Sequence, residues 1–308
     1  MAGQLWVTSS LGGDMYSPKL SKKFRMQAQP LMRFRQFVDT KESLGKNAGD
    51  TVNWEKVANI STQGGTLTET TTIPERQWTN TKGTLSLLEY GNAIPLTRKV
   101  TELSELDIED ITKRTLRYDM AKVIDSAVYT QFGSAKIKYC GTSTATYVIS
   151  TNGSMTISAT SSLIGYHIKN IVDYLRSTML APPYDDDGNY VCIASTQALR
   201  QVFDALESTA AYTTWPLNGE VGRYYDVRFV RATGTIDNSI GLAATPTGEA
   251  FFFGSETVME AIAVPEELIA KVPTDYGRSK GLAWYAILGH KIMWSGDPDN
   301  TIVHWTSA

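Results

Sequence analysis

Cysteine is nearly absent: only Cys140 and Cys192 occur in 308 residues, far apart and in no C-x-x-C arrangement. This excludes a disulfide framework or a zinc knuckle and leaves two buried reduced thiols as the expectation. No apolar run approaches the ~18 residues of a membrane span, and no apolar core of signal-peptide length follows the first Met. A chain made and kept in a cytoplasm, with no membrane partner, is therefore expected. A basic excess is missing too, since 29 Lys and Arg stand against 32 Asp and Glu for a net charge of −3. Dedicated duplex binding has no electrostatic basis in such a chain. The three histidines, His167, His290 and His304, form no H-x-x-x-H pair and lack a flanking ligand set, and nucleophile-elbow, Walker and dinucleotide motifs do not occur. Asp185-Asp186-Asp187-Gly188-Asn189 imitates the start of a calcium loop, but Tyr190 stands where Gly is needed and Thr196 where Glu is needed. A solvated Asp-Gly turn is the better reading. No catalytic, cofactor-binding or metal-ligating residue is assigned, no cofactor is expected, and the chain reads as a non-enzyme. No internal repeat is visible.

What is present is 42% apolar residues, enough for a real core in one large or two moderate domains. The longest helix pattern opens at Ser104 as N-cap, with Asp107 three positions on and Glu105, Glu109 and Asp110 in the first turn. Leu116, Met120, Val123, Ile124, Ala127, Val128 and Phe132 then recur at three- and four-residue steps until Gly133. Such a helix is on the order of 40 Å long. Ile94, Leu96 and Val100 predict a strand leading into it, with Pro95 near its start. Beyond it, Asn152-Gly153 predicts a type I′ hairpin in which Val148 faces Ile157 and Ser150 faces Met155. A second helix, capped by Ser161 or Ser162, carries Ile164, Ile168, Ile171, Leu175 and Met179 and ends at Pro182-Pro183. Tyr190 to Ala194 reads as a buried strand, Thr196 as the cap of a third helix, Tyr224 to Val230 as a strand and Phe251 to Phe253 as a short buried strand. Pro265 opens a helical turn in this reading, Leu282 to Met293 is a strand covered on both faces, and Thr301 to Trp305 closes the chain.

Two stretches do not fit an ordinary core. Thr51 to Ile60 and Thr81 to Tyr90 alternate as strands, whereas Ser61 to Asn80 between them is rich in Thr and Gly and holds no apolar run. A two-stranded ribbon is marginal in water, so this long excursion needs a bed. The chain offers no obvious internal one, which points to a neighbouring copy. Ahead of it, Lys19, Lys22, Lys23, Arg25, Arg33 and Arg35 form a basic arm in which Leu20, Phe24, Leu31, Met32, Phe34 and Phe37 are interleaved. The apolar residues anchor the arm on protein and the cations face outward. Trp54, Ile60 and Trp78 on the excursion, with Phe24 and Phe34 on the arm, are the candidate inter-subunit contacts.

The order of arm, long hairpin, spine helix, mixed α/β half and closing strand resembles the major capsid proteins of tailed phages with the HK97-like fold, nearest to those of N4-like podophages. The residues that carry the resemblance are Gly49-Asp50-Thr51-Val52, Leu88-Glu89-Tyr90-Gly91, Asp125, Gly219-Glu220-Val221-Gly222 before a Val-Arg-Phe-Val strand at 227–230, and Asp275-Tyr276-Gly277-Arg278. It implies an α+β capsid fold with an N-terminal arm at 1–44 and an extended loop with its return strand at 45–103. A peripheral domain with the spine helix would follow at 104–160, an axial domain at 161–250 and a return to the peripheral domain at 251–308. It further implies a subunit that assembles with itself into hexamers and pentamers of an icosahedral shell, in the virion, built in the host bacterial cytoplasm. The implied partners are a separate scaffolding protein, because the chain has no room for a fused scaffolding segment, a portal protein, packaged double-stranded DNA touched non-specifically, and in some shells a decoration protein. The alternatives are an encapsulin-like compartment around cargo enzymes, a tail or fibre protein and, more remotely, a cytosolic α/β hydrolase.

Overall fold

The computed structural model describes residues 32–41, 49–58, 64–70, 72–73, 75, 77–104, 107–207, 220–237, 239–242, 245–273, 275–294 and 301–308. A 3-10 turn at Arg35–Phe37 leads into β1 (Asp39–Lys41), β2 (Thr51–Ala58), β3 (Thr79–Ser86) and β4 (Leu88–Thr97). A short helix α1 (Arg98–Leu103) and the long α2 (Ile108–Gly133) follow, then β5 (Ile137–Gly141), β6 (Tyr147–Ser150) and α3 (Gly165–Asp173), which runs on into a π turn at Tyr174–Thr178. The rest is β7 (Tyr190–Ala194), α4 (Thr196–Glu207), β8 (Glu220–Tyr224), β9 (Val227–Arg231), the two-residue pair β10 (Gly241–Leu242) and β11 (Thr245–Pro246), β12 (Ala250–Phe253), β13 (Val258–Ala270), β14 (Ser279–Ile292) and β15 (Ile302–Trp305).

Two sheets share one helix. The larger has the order β6-β5-β15-β12-β7-β9-β8, and the smaller β1-β13-β14-β4. Period-two alternation gives the larger sheet two apolar faces. Cys192, Phe252 and Val303 face α3 and α4 through Ile168, Ile171, Leu199 and Val202, while Val191, Ile193, Phe251 and Phe253 face Val128 and Phe132 of α2. The other half of α2 lies on the smaller sheet, where Leu116 and Ile124 meet Trp284, Ala286 and Leu288. The Trp284 indole also donates to Asp119 of the helix at 2.9 Å. At 26 residues, about 39 Å, α2 is long enough to serve both sheets.

Several expectations are corrected. Ser104 does not open the spine helix: it closes α1, which Thr97 caps by accepting from the Val100 N–H, and Asp107 caps α2 by accepting from Glu109 and Asp110. Val100 is therefore helical, and the strand before it, β4, begins at Leu88 with Pro95 near its end. The Asn152-Gly153 hairpin is absent. Asn152 instead accepts from the Ser154 N–H across its own turn, Gly153 donates to Lys136, and β6 pairs with β5. Tyr224 to Val230 is two strands, joined by Tyr225 and Asp226 in the left-handed region, φ 47° and 57°. Arg176 holds that turn through Asp226 at 2.9 Å. Neither Ser161 nor Ser162 caps α3, whose N-cap is Ile164 without a side-chain bond, and Ser195, one residue before Thr196, receives the Ala198 N–H of α4. Pro265 opens no helical turn but lies within β13, where register shifts between Ile262 and Glu267 accommodate its missing N–H. β14 is fully covered on the α2 face only, Tyr285 and Ile287 being half-buried on the other. Strands β5, β6, β12 and β15 stand in the larger sheet beside β7 and β9.

Candidate assembly surface

The limb formed by β2 and β3 pairs in register from Thr51 with Ser86 to Ala58 with Thr79. Among the described residues, its root is bedded on its own chain. There Trp54 is 9% and Leu85 1% exposed, packed against Met259 and Ala261 of β13, with Val52, Leu87 and Met293 alongside. Leu87 donates to Asp50 at 2.8 Å, and the Lys56 ammonium lies 5.5 Å from the Trp294 ring. Two glycines permit this seat. A Cβ on Gly83 would collide with the Trp54 indole, and one on Gly289 of β14 would collide with Leu85. Farther out the limb changes character. Val57 is 60%, Leu67 52%, Ile73 68% and Trp78 61% exposed, so among the described residues of the arm large apolar side chains stand in solvent.

The sequence-predicted contacts separate accordingly. Trp78 is on the uncovered outer limb and Trp54 in the root, while Ile60 and Phe24 lie outside the described residues. Phe34 is fully buried in its own chain, edge-on to Tyr129 and Phe251 with ring centroids 5.3 and 5.8 Å away. The Asp125 carboxylate of α2 accepts the Phe34 and Arg35 N–H groups at 2.9 and 3.2 Å, capping the 3-10 turn from another element. Arg35 reaches β13 through Glu260 at 3.0 Å and also pairs with Glu266. This stretch of the arm thus clasps both sheets. Sequence reasoning missed Leu85 and Gly289, although a glycine inside an apolar strand signals a close approach.

The three histidines and the two cysteines are bound up in structure. His304 is sandwiched between Lys138 Nζ, 2.6 Å from its Nδ1, and Glu249 Oε1, 2.5 Å from its Nε2. An ammonium can only donate and a carboxylate only accept, so the proton sits on Nε2 and the imidazole is neutral. Burial pushes His304 below its ordinary value and pushes the Lys138 amine down to about 8 against the pull of Glu249. Tyr129 donates to the other Glu249 oxygen at 2.8 Å. His290 lies 3.2 Å from Glu260, and burial lowers His167, which sits between Tyr139 and Ser161. Burial raises the Cys140 thiol to about 11 and the Cys192 thiol well above its ordinary value, which makes both inert. Among the described residues no group of three His, Cys, Asp or Glu side chains is arranged to hold a metal ion, and no helix is long and apolar enough to cross a membrane. At the end of the smaller sheet remote from the limb, an open apolar hollow of about 490 Å³ is lined by Ile94, Pro95, Ile269 and Leu282.

No family model matches the chain, and no curated protein does. Solved structures do, over the full length. The capsid asymmetric unit of cyanophage Pam1 superposes with a TM-score of 0.71 at 17% identity, covering 100% of both chains. The capsid of Ralstonia phage GP4 gives 0.69 at 12% identity over 99% of each chain. That of cyanophage P-SCSP1u gives 0.67 at 10% identity over 98% of this chain and 97% of the other. The fold is α+β and HK97-like.

Proposed function

We propose that this chain is the major capsid protein of a tailed phage, self-assembling into the icosahedral shell that encloses its double-stranded DNA. The observation that carries the reading is the limb: an arm rooted in its own subunit whose described outer apolar residues stand more than half exposed there, on a fold matched end to end by phage capsid chains. Apolar side chains held out in this way gain about 25 cal/mol per Å² when a second copy covers them. The partner is the protein itself, in hexamers and pentamers, each contact modest and the summed interface above the roughly 1,600 Å² of an ordinary complex. Such a subunit works by repeated contact and not by turnover. The smaller sheet with the first half of α2 serves as the peripheral unit and the larger sheet with α3 and α4 as the axial one.

The motif residues quoted above favour kinship with the N4-like podophage capsid proteins. A separate scaffolding protein, a portal and, in some shells, a decoration protein complete the assembly in the host cytoplasm. The net charge of −3 suits an inner wall that does not grip the genome tightly. Negative-stain microscopy with sedimentation tests the reading: closed shells or capsomers are expected, and a purely monomeric or dimeric particle under all assembly conditions contradicts it. Trp78→Asp should leave the subunit's melting temperature unchanged and abolish closure, whereas normal shells from this variant would remove the outer limb from assembly.

A further inference from the structure

The limb's direction is set at its root. Leu85 projects from β3 into a notch that exists because residue 289 of β14 has no side chain, and a Cβ there would also come within 2.7 Å of the Ser86 carbonyl oxygen. Gly289 pairs with Ala261 of β13, and Ala261 together with Met259 forms the rest of the floor under Leu85 and Trp54. Within the seat made by Trp54 and Leu85 on β13, the notch at Gly289 is one side chain wide. Beyond it the described apolar residues Val57, Leu67, Ile73 and Trp78 are each more than half exposed, so an error in angle at the root is transmitted outward.

We infer that Gly289 is a positioning residue that sets the elevation of the limb and, through it, the angle at which neighbouring copies join. The inference rests on the reading of the chain as a shell subunit. Its geometric basis is leverage. Non-bonded carbons settle about 3.5–4 Å apart and the added Cβ would stand 2.2 Å from Leu85 Cδ2, so it forces a shift of about 1.3–1.8 Å there. Leu85 is two residues, roughly 7 Å, from Leu87, where β3 gives way to β4, and Ala58 pairs roughly 26 Å out, which magnifies the shift to about 5–7 Å at the end of the paired strands. A displacement of that size carries Val57 and Trp78 off a complementary surface without unfolding the subunit. In a closed shell every copy makes the contact, so the change appears as curvature.

The test compares wild type, Gly289→Ala, Leu85→Ala and the double variant, each as the full chain, by melting temperature, microscopy of assembled particles and amide exchange. Gly289→Ala is expected to fold yet to give at least about tenfold fewer closed particles of wild-type diameter, replaced by open sheets, tubes or shells of another size. Adding Leu85→Ala, which removes the colliding methyl but leaves the approach to the Ser86 carbonyl, should move the products back as far as those of Leu85→Ala alone. This rescue is what a merely structural glycine would not show. Leu85→Ala alone introduces no collision and covers the case in which Gly289→Ala fails to fold. It is expected to speed exchange at residues 51–56 and to impair closure. Wild-type diameter and yield from Gly289→Ala, or from Leu85→Ala where the former cannot be made, overturn the inference while the shell reading stands. A wild-type chain that never closes shells overturns the shell reading first, and the inference with it.

Discussion

Among the described residues, Asp125, Glu249 and Glu260 are carboxylates withdrawn from solvent, and each is answered differently. Glu260 has Arg35 and His290; although burial acts to raise its pKa, those partners hold the carboxyl below its ordinary value. Asp125 is raised by burial, and the backbone N–H groups of Phe34 and Arg35 pull only part of the way back. The amide of Asn is therefore a good stand-in for its oxygen, whereas Ala leaves two buried donors without an acceptor. Asp125→Ala should cost about 1–3 kcal/mol in urea unfolding, and Asp125→Asn most of that less. For Glu249 the decisive neighbour is neutral His304. Burial holds both His304 and His167 below the ordinary 6.5, so the unfolded chain takes up protons that the folded chain refuses. Stability accordingly falls as pH drops through 6.5 toward the lower folded values, by up to about 1.4 kcal/mol per pH unit for each histidine. His304→Gln should roughly halve that slope in melts taken between pH 7 and pH 5, and an unchanged slope would mean that His304 is not kept neutral.

At the scale of elements, the long periodic segments were legible and the turns were not. The stripe from Leu116 to Phe132 and the run Tyr190 to Ala194 lie where hydrophobic spacing puts them, because burial along a whole element averages out local exceptions. Asn152-Gly153 misled because an Asn side chain can satisfy its own turn, while a left-handed hairpin turn, Tyr225-Asp226, contains no glycine and is held by Arg176, a partner remote in sequence. Strand pairing explains a further device. β4 is an edge strand of the smaller sheet, and two of its residues blunt it: Pro95 has no N–H, and the Ala93 N–H is taken by the Asn92 side chain at 2.9 Å. Pro95→Val with Asn92→Ala should therefore raise light scattering on storage at unchanged secondary structure. If scattering does not change, this edge needs no guard.

On the scale of the whole molecule, the two sheets, the helix they share and the arm segment that clasps them form a body with its own core, and the limb stands outside that body. The sequence showed an excursion that could not support itself, because its alternation lacked any apolar partner run. It did not show that the excursion is half-bedded, since the seat at Gly289 is distant in sequence and consists of a missing side chain. In the proposed reading shell formation would follow from this division of labour: the body fixes where the limb starts, and a second copy would supply the surface on which it ends. The most direct measurement is amide exchange along the limb in assembled particles against dissociated subunits. Val57, residues 64–70 and residues 77–82 should exchange at least about tenfold more slowly once assembled, a protection of ~1.4 kcal/mol or more, while the core strand Tyr190–Ala194 stays equally protected in both. Equal exchange at the outer limb in the two states would contradict the account.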